Sequence, residues 1–188
     1  MTEIVLWSGG LDSTVLVYYL GRDVEVQPIY LEIGTVGQRH ERVIVEDLSE
    51  ELRDKYPLVL PVKLISNWKW QFSEFPRIKL NRNLRICEFM RKLGAKKVYM
   101  GGYVSGSHFP EDNDPMRLSE LARIEVWNWE RLIPGATKED VFKLGIEELG
   151  EDILRKTWSC QLWWNSPCGN CFSCVERSDL FKKFTGRR

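Results

Sequence analysis

"EIVLWSGGLDSTVLVYYLGR", residues 3–22, carries three signals in succession. Glu3–Trp7 is a short apolar, β-branched run that reads as a buried strand. Thr14–Arg22 reads as a helix that Gly21 brings to a stop. Between them, Gly9 and Gly10 let the backbone turn tightly and come close to a ligand. Successive N–H groups at the start of a helix favour an anion at such a turn, and the hydroxyls of Ser8, Ser13 and Thr14 are further donors. Asp12 places a carboxylate beside that anion, which implies a metal ion or a positioning hydrogen bond. The alternative is a plain glycine turn ahead of a helix capped by Asp12 and Ser13. The pattern GxxxxGK[ST] is absent, which argues against a P-loop ATPase.

Working outward, the pattern of strand followed by helix repeats. Val24–Ile33 reads as a second strand. Gln38–Tyr56 reads as a helix with Val43, Leu48 and Leu52 on its apolar face, and Pro57 ends it. Leu58–Ile65 reads as a third strand whose ladder Pro61 limits. The stretch 66–81 is aromatic and irregular. Asn83–Leu93 reads as a helix stopped by Gly94, and Lys96–Gly102 as a fourth strand ending in a glycine pair. "LSELARIEVWNW" (118–129) fits helix or strand, and Thr137 caps a helix with acidic residues in its first turn. Alternating strands and helices predict an α/β fold, a parallel sheet with right-handed crossovers. Ligands then bind at the carboxyl ends of the strands. Those ends are "SGGLDS", "GTVGQRH" (34–40) and "GGYVSGS" (101–107).

The 188 residues are 43% hydrophobic and 29% charged, which is ordinary for a single soluble domain with at most a small appendage. Lysine plus arginine number 27, as do aspartate plus glutamate. A balanced charge argues against a long nucleic acid as partner. There is no signal-peptide pattern at the start and no run of about 18 apolar residues, so no membrane span is expected. The expected location is the cytoplasm, where thiols stay reduced and clustered cysteines are metal ligands more often than disulfides.

Four of the five cysteines lie in "TWSCQLWWNSPCGNCFSC" (157–174), spaced Cys160-x7-Cys168-x2-Cys171-x2-Cys174. Two successive C-x2-C steps plus a fourth thiolate complete a tetrahedral site, and structural zinc is the favoured occupant. Iron–sulfur, redox or disulfide use are the alternatives. A four-thiolate site leaves no open position for substrate, so its expected role is to hold the tail near the nucleotide. Cys87 is expected to be a buried core residue. Trp158, Trp163 and Trp164 either stack on a purine-like base or pack the cysteine segment.

"SGGLDST" resembles the nucleotide loop of the PP-loop ATP pyrophosphatases, often written SGGxDS. Together with "VGQRHERVIVED" (36–47), "RNLRICEFMRKLGAKKVYMGG" (82–102), "TKEDVFKLGIEELG" (137–150) and "TWSCQLWWNSPCGNCFSCVERSDLF" (157–181), it resembles the 7-cyano-7-deazaguanine synthases in particular. The resemblance implies a Rossmann-like sheet of the adenine nucleotide alpha hydrolase type over residues 1–156, with a zinc-binding segment, 157–188, packed on it. It implies a ligase that adenylates 7-carboxy-7-deazaguanine and converts it with ammonia to the nitrile, for queuosine or archaeosine biosynthesis. The cofactors implied are ATP, Mg²⁺ and structural Zn²⁺. The partners are the deazapurine carboxylate, ammonia and ATP, with a homodimer left open.

Carried over by position, Trp7, Ser8, Gly9, Gly10, Leu11, Asp12, Ser13, Thr14, Val15, Leu16 and Val17 would contact ATP, and Cys160, Cys168, Cys171 and Cys174 would bind zinc. Asp12, Ser13, Arg39 and His40 are the catalytic candidates, and Gln38, Asn83 and Arg117 the substrate candidates. Arg39 and His40 could equally be first-turn residues, Asn83 a cap, and Lys138 either a phosphate ligand or a solvated helix start. His108 reads as an inert loop residue. The chain departs from the family at Val36, at Tyr103 and in "SHFPEDNDPMR" (107–117), which lacks the family's Cys-Arg pair. That change leaves open a different acceptor carboxylate, even one on a macromolecule. A nucleotide-binding partner protein without turnover is the remaining alternative, and the intact Asp12, Ser13 and cysteines argue against it.

Overall fold

The computed structural model describes residues 2–32, 38–66, 82–102, 114–160 and 166–186. In chain order these form β1 (Glu3–Leu6), α1 (Leu11–Gly21), β2 (Val26–Glu32), α2 (Gln38–Lys55), β3 (Lys63–Ser66), α3 (Arg82–Lys92) and β4 (Lys97–Met100). There follow α4 (Pro115–Ala122), β5 (Glu125–Trp127), α5 (Trp129–Leu132), α6 (Lys138–Glu148), α7 (Glu151–Lys156) and α8 (Phe172–Thr185). All strand pairs are parallel, and the sheet runs β3-β2-β1-β4-β5. The order reverses between β1 and β4, which is where such sheets open a crevice at their carboxyl ends. The turn at Ser8–Gly10 and the glycine pair Gly101–Gly102 both lie at that reversal.

Side-chain alternation along each strand divides the interior into two layers. Val5, Val26, Tyr30 and Tyr99 point into the larger core with α1, α2, α6, α7 and α8. Ile4, Leu6, Ile29, Val98 and Val126 point the other way, against α3 and α4. Because both faces of the sheet are covered, its strands read as continuous apolar runs. Cys87 is fully buried in the second layer, as expected of a small apolar residue.

Two local readings change. The apolar face of α2 is formed by Val45, Leu48 and Leu52, while Val43 is 52% exposed. The third strand is broken: Val59 makes one bridge to Val26, Pro61 interrupts the ladder, and pairing resumes only at Lys63. The first helix ends at Gly21, as read. A Cβ there would stand 2.5 Å from Val59 Cγ2, so glycine is required for close packing. The ambiguous 118–129 stretch holds both elements, the end of α4 and then β5. Thr137 caps α6 in a capping box, its side chain accepting from the Asp140 N–H while the Asp140 carboxylate accepts from the Thr137 N–H. No helix among the described residues is long and apolar enough to cross a membrane.

Candidate functional site: a glycine turn joined to a four-cysteine cluster

At the carboxyl end of β1 the chain turns through Gly9, whose φ of +73° is in the region that favours glycine, and enters α1 at Gly10. The N-cap makes no side-chain hydrogen bond, so neither Asp12 nor Ser13 caps this helix. The Thr14 N–H bonds to the Gly10 carbonyl at 2.9 Å, whereas the three N–H groups before it have no partner within the helix. An α-helical start with free donors and the positive end of a dipole suits an anion.

The residues of this stretch divide into two groups. Ser8 Oγ lies 3.1 Å from Ser13 Oγ, which also donates to the Gly10 carbonyl. Thr14 is fully buried; its hydroxyl donates to the Gly10 carbonyl at 2.8 Å and accepts from Trp7 Nε1 at 2.9 Å. It braces the turn and is not a free donor for a ligand. Trp7, Leu11, Val15, Leu16 and Val17 are buried in the larger core. The side chains of these five, and of Thr14, hold the turn from behind, so any contact of theirs with a nucleotide would run through the backbone.

Asp12 is the exception to this burial. Its backbone carbonyl accepts from Trp129 Nε1 at 3.1 Å, which fixes the first turn of α1. Its Oδ2 lies 3.3 Å from Lys138 Nζ on α6, and the same ammonium contacts Glu176 on α8. Its Oδ1 is buried and has no hydrogen-bond partner. Burial outweighs the attraction of Lys138 and pushes the Asp12 carboxyl up to about 6. Burial alone would lower Lys138, but Asp12 and Glu176 outweigh it and hold the ammonium above the ordinary lysine value.

A carboxyl whose folded value lies above its unfolded one contributes stability only while protonated. That contribution is complete below the unfolded value of 3.8 and is lost as pH rises through about 6. With 24% of the side chain still meeting water, the full cost of the charge at pH 8 is at most about 3 kcal/mol. Asp12→Asn is therefore expected to melt above the wild type at pH 8, with a difference roughly halved at pH 5. Thermal melts of the two proteins across this range check it; a constant difference would mean that Asp12 carries no buried charge.

The four cysteine sulfurs lie within 4.8 Å of one another. Tetrahedral zinc with Zn–S distances of about 2.3 Å places its sulfurs about 3.8 Å apart, and Cys168 Sγ lies 3.9 Å from Cys174 Sγ. The Cys168 and Cys171 N–H groups point at the sulfurs of Cys160 and Cys168, at 3.4 and 3.3 Å. Gly169, with φ of +73°, makes the tight turn between them. Burial, then the neighbouring thiols, push the Cys174 thiol up to about 12, although a Gly169 N–H opposes them. Four sulfurs gathered around one point are the donor set of a tetrahedral cation site. The cluster could hold a metal ion such as zinc.

Cluster and turn are physically joined. The Trp158 N–H donates to the Gly9 carbonyl at 2.8 Å, and Trp158 Nε1 donates to the Cys160 carbonyl at 2.9 Å. Trp158 is 7% exposed and stands edge-on to His40, with ring centres 4.2 Å apart. This tryptophan packs the segment, as one of the two expectations held; Trp163 and Trp164 lie outside the described residues. Gln38, Arg39 and His40 form the first turn of α2, and His40 is brought to the turn through Trp158. Asn83 lies in the first turn of α3, and Arg117 is exposed on α4. Val36, Tyr103, His108 and positions 107–113 of the divergent loop lie outside the described residues.

Sequence reasoning missed four residues. Gly101 was seen only as part of a strand-ending pair, although a Cβ there would stand 2.6 Å from Ser13 N. Trp129, Glu176 and Arg177 were not singled out. Arg177 donates to the Leu154 and Arg155 carbonyls, at 2.7 and 3.0 Å, and to Thr157 Oγ1. Burial, then Arg155, lowers it to about 10. An arginine three residues past the last cysteine was the one signal available for it.

No family model matches the chain. Among curated proteins, it is 26% identical to the 7-cyano-7-deazaguanine synthase of Caldicellulosiruptor bescii, with 97% of this chain and 93% of that protein aligned. The figures for the synthase of Caldicellulosiruptor saccharolyticus are 27%, 97% and 92%. For that of Archaeoglobus fulgidus they are 26%, 96% and 86%. Glycine turn, switch point and cysteine cluster thus sit in a chain that is, over nearly its whole length, a homologue of the 7-cyano-7-deazaguanine synthases of bacteria and archaea.

Proposed function

We propose that the protein converts 7-carboxy-7-deazaguanine, ammonia and ATP to 7-cyano-7-deazaguanine, a step toward queuosine or archaeosine. The observation that carries this reading is Asp12: a carboxylate at a helix start, with one oxygen on Lys138 and the other orphaned in a near-dry setting. An orphaned carboxylate oxygen beside an anion site fits a divalent cation, and Mg²⁺ held by Asp12 would supply charge neutralisation for the phosphates of ATP. The free N–H groups opening α1 would bind phosphate oxygens. Lys138 would offset the charge that develops on departing pyrophosphate, and the buried residues behind the turn would keep these donors from moving.

In the proposed reaction, a carboxylate oxygen of the base attacks the α-phosphorus and pyrophosphate leaves. Ammonia then displaces AMP to give the amide, losing a proton. A second ATP activates the amide oxygen in the same way, and loss of AMP with two protons from nitrogen leaves the nitrile. The chain's contribution is mostly position and electrostatics. Zinc, held by Cys160, Cys168, Cys171 and Cys174, would be structural, because four thiolates leave it no open site. His40, Arg39, Gln38 and Asn83 stay candidates for contact with the base, and residues 1–156 and 157–188 would work as one unit.

The test is mass spectrometry of the base after incubation of metal-loaded protein with ATP, ammonium and 7-carboxy-7-deazaguanine. Amide or nitrile is expected, reduced at least about 100-fold in Asp12→Ala. Nucleotide binding with an unchanged base would move the assignment to another acceptor carboxylate, and the divergent 107–117 segment is the sequence feature that favours this second reading.

A further inference from the structure

We propose that Glu176 is a positioning residue: its carboxylate holds the Lys138 ammonium against Asp12, so that the helix leaving the cysteine cluster sets the charge at the glycine turn. The proposal rests on the reading of that turn as the nucleotide site. It deepens that reading by naming what keeps the cation in place.

Lys138 occupies the first turn of α6, at the positive end of the helix dipole, where a cation is disfavoured. Something must hold it there, and the structure offers two carboxylates from two other elements, Asp12 on α1 and Glu176 on α8. A lysine side chain loses rotamer entropy when it is held, and one ion pair leaves much of its motion free. Two partners on different helices restrict it to one place.

The alternative place is also visible. A groove of about 350 Å³ between α6 and α8 is lined by Lys138, Glu139, Glu176, Asp179 and Lys183. Without the Glu176 charge, the ammonium is free to turn toward Glu139 and Asp179 and away from the glycine turn. Glu176 cannot drift in turn, because it lies two residues past Cys174. Its neighbour Arg177 pins α8 to the carbonyls that end α7. The carboxylates paired with Lys138 are thus Asp12 from α1 and Glu176 from α8, with Glu139 and Asp179 beside it in the groove.

The experiment compares wild-type, Glu176→Gln and Glu176→Asp proteins, full length and metal-loaded. Two quantities are read: the rate at which a lysine-acylating reagent modifies Lys138, by peptide mass spectrometry, and kcat and KM for ATP. In Glu176→Gln, acylation of Lys138 is expected to rise severalfold and kcat to fall about tenfold. KM for ATP is expected to stay level or fall, since a negative charge near the phosphates has gone. Glu176→Asp should recover part of both effects. Unchanged acylation overturns the proposal, and so does a rise in KM with kcat intact. Loss of the metal from Glu176→Gln also overturns it, since the residue would then serve the cluster alone. If the wild type turns over no ATP, the functional reading fails by itself, and the acylation rates still decide whether Glu176 holds Lys138.

Discussion

Gly101→Ala is expected to melt roughly 2–12 °C below the wild type and to lose turnover about 100-fold. A Cβ at this position would stand 2.6 Å from Ser13 N, 2.8 Å from Ser13 Cα and 3.0 Å from the Asp12 carbonyl carbon. All three are backbone atoms, so no flexible side chain can give way. Overpacking of this kind costs about 1–3 kcal/mol. Either the end of β4 or the first turn of α1 must move, and the second option carries Asp12 and the free N–H groups with it. Gly94→Ala is the matched control. It has φ of +87° but nothing within 4 Å of its Cβ position, so it is strained but harms nothing nearby. That variant should lose about 1 kcal/mol and keep its turnover. Equal melting and equal turnover for Gly101→Ala and wild type would show that the two carboxyl ends at the switch point have slack.

Removal of the metal from the four-cysteine cluster, by chelation or through Cys174→Ser, is expected to cost more than about 4 kcal/mol. For a chain of this size that is roughly 8–16 °C in melting temperature. The apolar cluster around the cysteines is small, with Trp158, Cys160 and Cys174 buried and Ile44 packed against them. So little apolar burial cannot order this segment alone, and the metal has to supply the rest. The effect should reach the glycine turn along two routes, the Trp158 N–H on the Gly9 carbonyl and the Glu176 contact with Lys138. Calorimetry with and without chelator, alongside elemental analysis and ATP binding, reads all three consequences. A fully loaded protein whose melting and nucleotide affinity ignore the chelator would sink the idea of a structural clamp.

Much of the fold was legible because its signals are local. Strand-turn-helix at residues 3–22, a capping box at Thr137 and the Gly94 stop each depend on neighbours in sequence. The cysteine spacing was equally readable, since two C-x2-C steps bring sulfurs together by backbone geometry alone. Errors fell where local rules compete. Val43 fits a helical period as well as Val45 does, and only the angle at which α2 meets the sheet makes Val45 the buried one. Gly21 ends its helix as read, but what demands a glycine there is Val59, 38 positions further along the chain.

The same division runs through the site. By itself the sequence determined that a glycine turn opens the first helix and that the sheet is parallel. It also determined that four thiolates gather near residue 170, because each of these is written in spacing over a few residues. Only the tertiary structure decided which side chains of 7–17 are packed into the core and which are not. It alone placed Gly101 against Ser13, Trp158 on Gly9, and Lys138 between Asp12 and Glu176. Those pairings join elements far apart in the chain, and burial and charge act through space, with no periodicity in the sequence to announce them.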